Sequence, residues 1–151
     1  MNNGFLLDTD VVSLLAPARI NQLPAGFLDW LHRADNESQL YLSVVTLHEV
    51  EKGIVQLEGK GAVSKAAALR TWLSGLVSMF QTRILGYEVM DAMLSGRLEG
   101  KALAAGFAPG MADAIIAGIA QRRGLLVVTR NSRHFACLGV EARDPSAVSG
   151  V

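Results

Sequence analysis

Three carboxylates stand where a buried surface would favour an apolar side chain. Asp8 follows Phe5–Leu7, an apolar run with the composition of a buried strand. Glu49 lies in a mostly apolar helical segment, and Asp113 opens a segment of small and apolar residues. Carboxylates gathered at one place repel one another, and a divalent cation relieves the repulsion. Oxygen donors favour Mg²⁺ or Mn²⁺, and a metal held in this way can activate water to cleave a phosphodiester.

Each of these acids also has a purely structural interpretation. Asp8 could be a helix N-cap or a surface acid at a strand end, and Asp113 could complement a helix dipole. Helix periodicity does not separate Glu49 from Glu51 as the functional acid. The remaining polar candidates are assigned to the surface, as solvated or capping residues or as possible contacts for substrate phosphates: Asp10, Glu88, Arg130, Arg133 and His134. The three histidines and the lone cysteine show no zinc-ligand spacing.

The elements that must position these acids alternate between strand and helix. Apolar runs predict strands at 5–7, 40–43, 84–85, 125–129 and 139–142. Apolar periodicity predicts helices at 11–15, after Pro24, and at 45–57, 63–80, 88–105 and 112–123. Thr9 or Asp10 is expected to cap the first helix, and Phe27, Leu28 and Leu31 to point inward from the second.

This alternation predicts an α/β fold with a parallel sheet covered by helices on both faces. The carboxyl ends of such strands meet at one edge, where ligands bind. The helices between 45 and 105 are expected to pack on the sheet as a flank. No composition shift or linker divides the 151 residues, so the sequence predicts one domain spanning 1–151.

Composition narrows the class of protein. Charged residues make up only 19% of the chain, which argues against intrinsic disorder. The formal net charge is zero, which argues against a strong overall electrostatic attraction to nucleic acid. The single Cys137 excludes an internal disulfide, and no apolar run is long enough to span a membrane. With no signal-like start, we expect a cytoplasmic protein.

Four segments, taken together and in order, resemble the PIN-domain family. They are LLDTDVVS at 6–13, LSVVTLHEVEKGI at 42–54, ADAIIA at 112–117 and LVVTRNSRHF at 126–135. The likeness is greatest to the VapC-type toxins of bacterial type II toxin–antitoxin pairs, and among them to the FitB-like branch. It implies a three-layer α/β/α sandwich around a mostly parallel sheet of about five short strands. It also implies an Mg²⁺-dependent ribonuclease (with Mn²⁺ as a possible substitute) that forms a homodimer and is neutralised by a cognate antitoxin.

The resemblance assigns roles to individual residues. Asp8 matches the first acid of the family pattern and Asp113 the third, which makes these two the principal metal ligands. Glu49, followed at the family's spacing by Gly53 and Ile54, matches the intervening glutamate and would complete the metal shell.

Two positions depart from the family pattern. A fourth acid is common where this chain has Asn131, whose amide could still contact a metal-bound water but brings no charge. Asparagine is common after the first Asp-Thr, where this chain has Asp10. The first departure leaves open whether one or two metals act.

Two other functions remain open. Asp-x-Asp after a first strand also suits a phosphotransferase of the haloacid dehalogenase type, with Asp8 as nucleophile. Enzymes of that class require a lysine and a later acidic pair near the site, whereas segment 125–135 contains arginines and no acid. The other alternative is a PIN-like scaffold that binds an antitoxin or RNA without cutting it.

Overall fold

The computed structural model describes residues 3–149, and its centre is a five-stranded sheet. The strands are β1 (Phe5–Leu7), β2 (Leu40–Ser43), β3 (Ile84–Leu85), β4 (Leu126–Val128) and β5 (Ala142–Arg143). Their order across the sheet is β3-β2-β1-β4-β5, and every neighbouring pair is parallel. The predicted parallel α/β sheet is therefore confirmed, and β1 lies at its centre.

Helices connect the strands and cover both faces of the sheet. They are α1 (Thr9–Ser13), α2 (Phe27–Asn36), α3 (Val44–Gly59), α4 (Val63–Phe80), α5 (Val89–Ala104), α6 (Met111–Arg123), α7 (Ser132–Cys137) and α8 (Pro145–Ser149). The bounds of β1, β2, β3 and α4 agree with the sequence prediction to the residue. Within residues 3–149, no helix combines the length and the apolar character needed to cross a bilayer.

Two hydrophobic cores lie on opposite faces of the sheet, because successive side chains of a strand point in opposite directions. Leu7 and Val128 face the core formed with α2, α3 and α4, whereas Leu6 and Val127 face the core formed with α6 and α7. All four side chains are fully buried. The three-layer α/β/α sandwich is thus built on strands that are apolar on both sides.

The second core holds α6 firmly against α5. A Cβ atom on Gly118 would lie 2.0 Å from Ser95 Oγ, so the close approach of the two helices requires glycine there. At the C-terminal end of α6, Arg122 and Arg123 donate to the fully buried carboxylate of Asp91 on α5 at 2.6 and 2.8 Å. These contacts fix the helix that carries Asp113.

Several local predictions are wrong, each for an identifiable reason. The first helix begins at Thr9, earlier than expected, because Asp8 is its N-cap and not Thr9 or Asp10. On α2, Leu28 is exposed and Trp30 takes the inward position beside Phe27, which shifts the apolar stripe. The last strand starts at Ala142, because the backbone from Gly139 onward first turns away from α7 with a positive φ.

A candidate active site at the carboxyl edge of the sheet

Asp8 lies at the carboxyl end of the central strand and is almost completely buried. Its backbone N–H donates to the carbonyl of Val128 at 3.0 Å, which continues the pairing of β1 with β4 by one residue. One carboxylate oxygen accepts from the backbone N–H of Thr9 at 2.8 Å, and the other accepts from the Thr129 hydroxyl at 2.8 Å. Only 4% of the residue is exposed. The predicted strand-end acid therefore points into the protein.

The position of Asp8 has a clear electrostatic consequence. Burial raises its pKa from 3.8 to about 7, and the neighbouring charges of Asp10 and Asp113 add to the increase. The hydrogen bonds from Thr129 and Thr9 oppose this change without cancelling it. A carboxylate that costs this much to ionise is typical of a functional site.

Asp113 approaches the same edge from the first turn of α6. Its Oδ2 lies 2.8 Å from Nδ1 of His134 on α7. Burial raises the pKa of Asp113, and the charges of Glu49 and Asp10 raise it further, while His134 lowers it. Asp113 is thus within electrostatic reach of two other acids that the sequence places far away.

Glu49 reaches the site from α3 through a chain of hydroxyl groups. The Thr9 hydroxyl donates to Glu49 Oε1 at 2.6 Å and lies 3.0 Å from the hydroxyl of Thr46, which is fully buried. Because Thr9 has one hydroxyl proton and gives it to the carboxylate, Thr46 must be the donor in the second contact. Glu51, by contrast, pairs with Arg70 of α4. The two glutamates therefore have different surroundings, and Glu49 contacts Thr9, the residue that follows Asp8.

Asn131 lies at the edge of the same cluster, directly after β4. Its side-chain nitrogen is 3.5 Å from Asp10 Oδ2, which also accepts from the backbone N–H of Arg130 at 3.0 Å. The Arg130 guanidinium stands 3.6 Å from the same oxygen. Asp10 is thus turned toward the segment after β4 and toward the other acids, and not simply out to solvent.

All the sequence-predicted site residues meet at this edge of the sheet. The side chains of Glu49 and Asp113 are engaged by Thr9 and His134, and within the described part of the chain no three His, Cys, Asp or Glu side chains stand in a metal-holding arrangement. The donor set still fits a divalent cation, because such ions prefer oxygen ligands. A bound cation would also stabilise the ionised carboxylates of Asp8 and Asp113, whose pKa values are raised. The metal-ligand roles remain a prediction.

A largely apolar groove opens beside the acids. It has a volume of about 660 Å³ and lies between α1, α3 and α4, and Thr9, Glu49 and Trp72 are among its lining residues. Arg19 and Lys65 are the cations along its lining. The groove connects an apolar surface with the acidic edge.

Sequence reasoning missed several residues that shape this site. Thr129 could have been found, since it follows β4 as Asp8 follows β1, and adjacent parallel strands end together. Thr46 is recognisable only once its contact with Thr9 is known. The contact of His134 with Asp113 has no sequence signal, because α7 is only six residues long and shows no measurable periodicity.

Comparisons with known proteins agree with this architecture. The sequence model of the PIN-domain family matches residues 5–139 of this chain. Plasmid stability protein StbB of Pseudomonas syringae pv. tomato is 36% identical over 141 residues, which covers 93% of this chain and 96% of the relative. The tRNA(fMet)-specific endonuclease VapC of Shigella flexneri is 29% identical over 135 residues, with coverage of 89% and 92%. The crystal structure of FitAcB from Neisseria gonorrhoeae superposes with a TM-score of 0.78 at 28% identity, covering 94% of this chain and 98% of that one. The chain therefore belongs to the PIN-domain family, in the group of VapC- and FitB-like toxins of toxin–antitoxin systems.

Proposed function

We propose that this protein is the toxin of a type II toxin–antitoxin pair and acts as an Mg²⁺-dependent endoribonuclease. The observation that carries the proposal is the gathering of Asp8, Glu49 and Asp113 at the carboxyl edge of the central strand, where the pKa values of both aspartates are raised. Family membership supports a ribonuclease of this class. The identity of the metal, the assignment of its ligands and the mechanism are our inference.

Asp8 and Asp113 would hold the metal, with Glu49 completing the acidic shell and Asn131 contacting a metal-bound water through its amide oxygen. A bound Mg²⁺ would supply Lewis-acid stabilisation of the phosphodiester and a more acidic water. Mn²⁺, which accepts the same oxygen ligands, would be the expected substitute.

The chain's own residues prepare this site before any ion binds. Thr129 and the backbone of Thr9 fix both oxygens of Asp8, so its carboxylate needs little reorganisation. The Thr46–Thr9 hydroxyl chain directs Glu49, and His134 holds Asp113 through one oxygen. Orientation of this kind keeps the acids converging despite their repulsion.

The test is the replacement of Asp8 or Asp113 by Asn, followed by assays of RNA cleavage and growth inhibition. Each variant should lose Mg²⁺-dependent cleavage by at least about a hundredfold, the usual scale for removing an essential electrostatic group. A tRNA is the first substrate to try, given the tRNA-specific relative. Asp29→Asn is a matched control, because Asp29 is an exposed acid in the first turn of α2 as Asp113 is in the first turn of α6.

The outcome also separates the remaining alternatives. Full cleavage by both purified variants would contradict the assignment, and wild-type protein that neither binds Mg²⁺ nor cleaves RNA would favour the binding scaffold. For a phosphotransferase, Asp8 would have to be an accessible nucleophile with a nearby lysine. Within residues 3–149 its carboxylate instead accepts hydrogen bonds from Thr9 and Thr129 and is almost fully buried.

The proposed partner is a cognate antitoxin that neutralises the toxin in the cytoplasm. The apolar groove between α1, α3 and α4 would take an apolar segment of this partner, and an Arg or Lys from that segment would pair with Glu49 and the neighbouring acids. We also propose that the chain forms a homodimer. Co-purification with the product of the neighbouring gene, and protection of Trp72 from fluorescence quenching in that complex, would test the docking site. A complex in which Trp72 stays as accessible as in the free protein would contradict it.

A further inference from the structure

One side of α5 is apolar and is left largely uncovered by the rest of residues 3–149. Val89, Met93 and Leu103 on this side are 76%, 59% and 55% exposed. Gly96 and Gly100 are exposed between them, and the helical spacing places all five residues, here called the α5 face, on one side of the helix. The opposite side of α5 packs against α6. A helix that is apolar on two opposite sides is typical of one that is buried on both.

Nothing in the described part of the chain explains the two glycines of the α5 face. A glycine inside a helix costs stability relative to alanine. At Gly118 this cost has a reason, because a Cβ atom there would collide with Ser95 of the neighbouring helix. At Gly96 and Gly100 a Cβ atom would meet no heavy atom of residues 3–149 within 4 Å outside its own helical turn. The absence of side chains at these two positions would allow a second helix to approach α5 closely.

The α5 face is arranged symmetrically about one point. Position 98 is midway between Gly96 and Gly100, and Met93 and Leu103 are each five residues from it. If the α5 helix of a second copy crosses antiparallel at this point, Met93 of each copy meets Leu103 of the other, and Gly96 meets Gly100. A two-fold interface requires such self-complementarity, because the same surface serves both copies. An antitoxin segment would require no symmetry of this kind.

Charge and location also favour a second copy over an antitoxin. The α5 face carries no charged residue, and the formal net charge of the chain is zero, so two copies do not repel each other overall. The helix that supports the face, α6, belongs to the core on the opposite side of the sheet from α4. A second copy on the α5 face therefore leaves open the groove between α1, α3 and α4, where the antitoxin is proposed to bind.

We propose that the α5 face is the surface through which two copies of this chain associate, with their α5 helices antiparallel and crossing between Gly96 and Gly100. The inference rests on the homodimer of the proposed function and gives it a location. The two glycines would set the close approach of the helices, and Met93 and Leu103 would supply the apolar contacts on either side of them.

The first experiment measures self-association of the full chain by analytical ultracentrifugation over a concentration series. The double variant Gly96→Leu/Gly100→Leu should raise the dissociation constant of the dimer at least about thirtyfold, the scale for loss of a central contact in an interface. The fold should survive, because the monomer has room for both side chains and leucine favours a helix more than glycine does. Gly75→Leu, at an exposed and equally open glycine of α4, is the matched control and should leave the dissociation constant unchanged.

The second experiment tests the antiparallel arrangement by disulfide formation. Because Cys137 is a free thiol, Met93→Cys and Leu103→Cys are each made together with Cys137→Ser. A mixture of the two proteins should form a cross-linked dimer on oxidation. Either protein alone should not, since the two copies of position 93, or of position 103, would be about 15 Å apart along the helices, beyond the reach of a disulfide.

Several results would overturn the inference. A wild-type protein that stays monomeric at every concentration would contradict both the homodimer and the α5 face. A dimer of unchanged affinity in Gly96→Leu/Gly100→Leu, or one weakened equally by Gly75→Leu, would mean that the copies associate elsewhere. Should the double variant not fold, Met93→Glu decides instead, because wild-type affinity with a charge on the face would contradict the inference. The proposed nuclease is judged separately, by the loss of RNA cleavage in Asp8→Asn, which does not depend on how the copies associate.

Discussion

The two halves of the acidic site are built in different ways. Asp8 belongs to the strand-end half, where β1 and β4 are paired in register and the backbone itself sets the side-chain position. Glu49 and Asp113 belong to the helix half, where each is carried by a helix and held by one side-chain contact, to Thr9 or to His134. Asp8 is 4% exposed, whereas the side chain of Asp113 is 22% exposed and its partner His134 53%.

This difference shows where the cost of the site lies. In the strand-end half the carboxylate is rigid and desolvated, so its ionisation works against folding. In the helix half the carboxylates retain contact with solvent and depend on neighbours that can rotate away. The strand-end half therefore provides a fixed point, and the helix half can adjust to a bound ion or partner.

The largest expected effect is on stability, and it should appear at Asp8. The folded state raises the pKa of Asp8 from 3.8 to about 7, so proton binding stabilises the fold fully below pH 3.8 and this contribution is lost as pH rises to about 7. At about 1.4 kcal/mol for each pH unit between the two pKa values, Asp8→Asn should stabilise the metal-free protein at pH 8 by up to about 4 kcal/mol. Urea unfolding in EDTA at pH 8 and at pH 5 measures the effect.

Asp113→Asn tests the same argument in the helix half. The pKa of Asp113 is also raised, but the residue is less buried and His134 opposes the change, so the gain at pH 8 should be smaller. Equal stabilisation by the two substitutions, or destabilisation by Asp8→Asn at pH 8, would contradict the proposed difference between the halves.

A smaller effect is expected when the hydroxyl that supports each half is removed. Thr129→Val leaves a buried oxygen of Asp8 without its side-chain donor, which should cost about 1–3 kcal/mol above pH 7 and raise the pKa of Asp8 further. Thr46→Val breaks a contact between two neutral hydroxyls and should cost about 0.5–1.5 kcal/mol. Chemical denaturation at pH 8 gives both values.

The controls for this pair are available in the chain. Thr71→Val removes an exposed hydroxyl on α4 that donates to a carbonyl of its own helix, and its effect should be close to zero. Thr46→Ser keeps the hydroxyl and should retain the wild-type kcat, whereas Thr46→Val should lower it. A larger loss of stability in Thr46→Val than in Thr129→Val would reverse the order of the two halves.

The strand-end half was also the half that could be predicted from the sequence. An apolar run that stops at an acid identifies both the strand and the edge, whereas the pairing of β1 with β4 is known only from the structure. The orientation of Asp10 was not predicted. The pattern Asp-x-Asp does not reveal that the second acid turns toward Asn131, because that contact spans 121 residues and depends on the path of the loop after β4.

The helix half could not be placed by periodicity alone. Glu49 and Glu51 are two residues apart on a helix that buries one stripe, and only their partners, Thr9 and Arg70, separate them. The resemblance selected Glu49 because the family pattern fixes the spacing from the glutamate to Gly53 and Ile54, which helix periodicity does not take into account. The local errors at α1 and β5 arise from the helix ends, namely capping by Asp8 and the positive φ of Gly139 after α7. The error on α2 has a different cause, since tertiary packing turns Trp30 inward.

The smallest expected effect lies at His134, the most exposed contact of the helix half. A half-exposed histidine–carboxylate pair contributes little to stability, so His134→Ala should change the free energy of unfolding by less than about 1 kcal/mol. The pKa of Asp113 should nevertheless rise, because His134 lowers it both by its hydrogen bond and by its charge. Carboxyl NMR titration of Asp113 measures this, with His32→Ala, an exposed histidine on α2, as control. An unchanged Asp113 titration would mean that His134 does not hold this carboxylate in solution, and the helix half would then be even less constrained than the comparison with Asp8 requires.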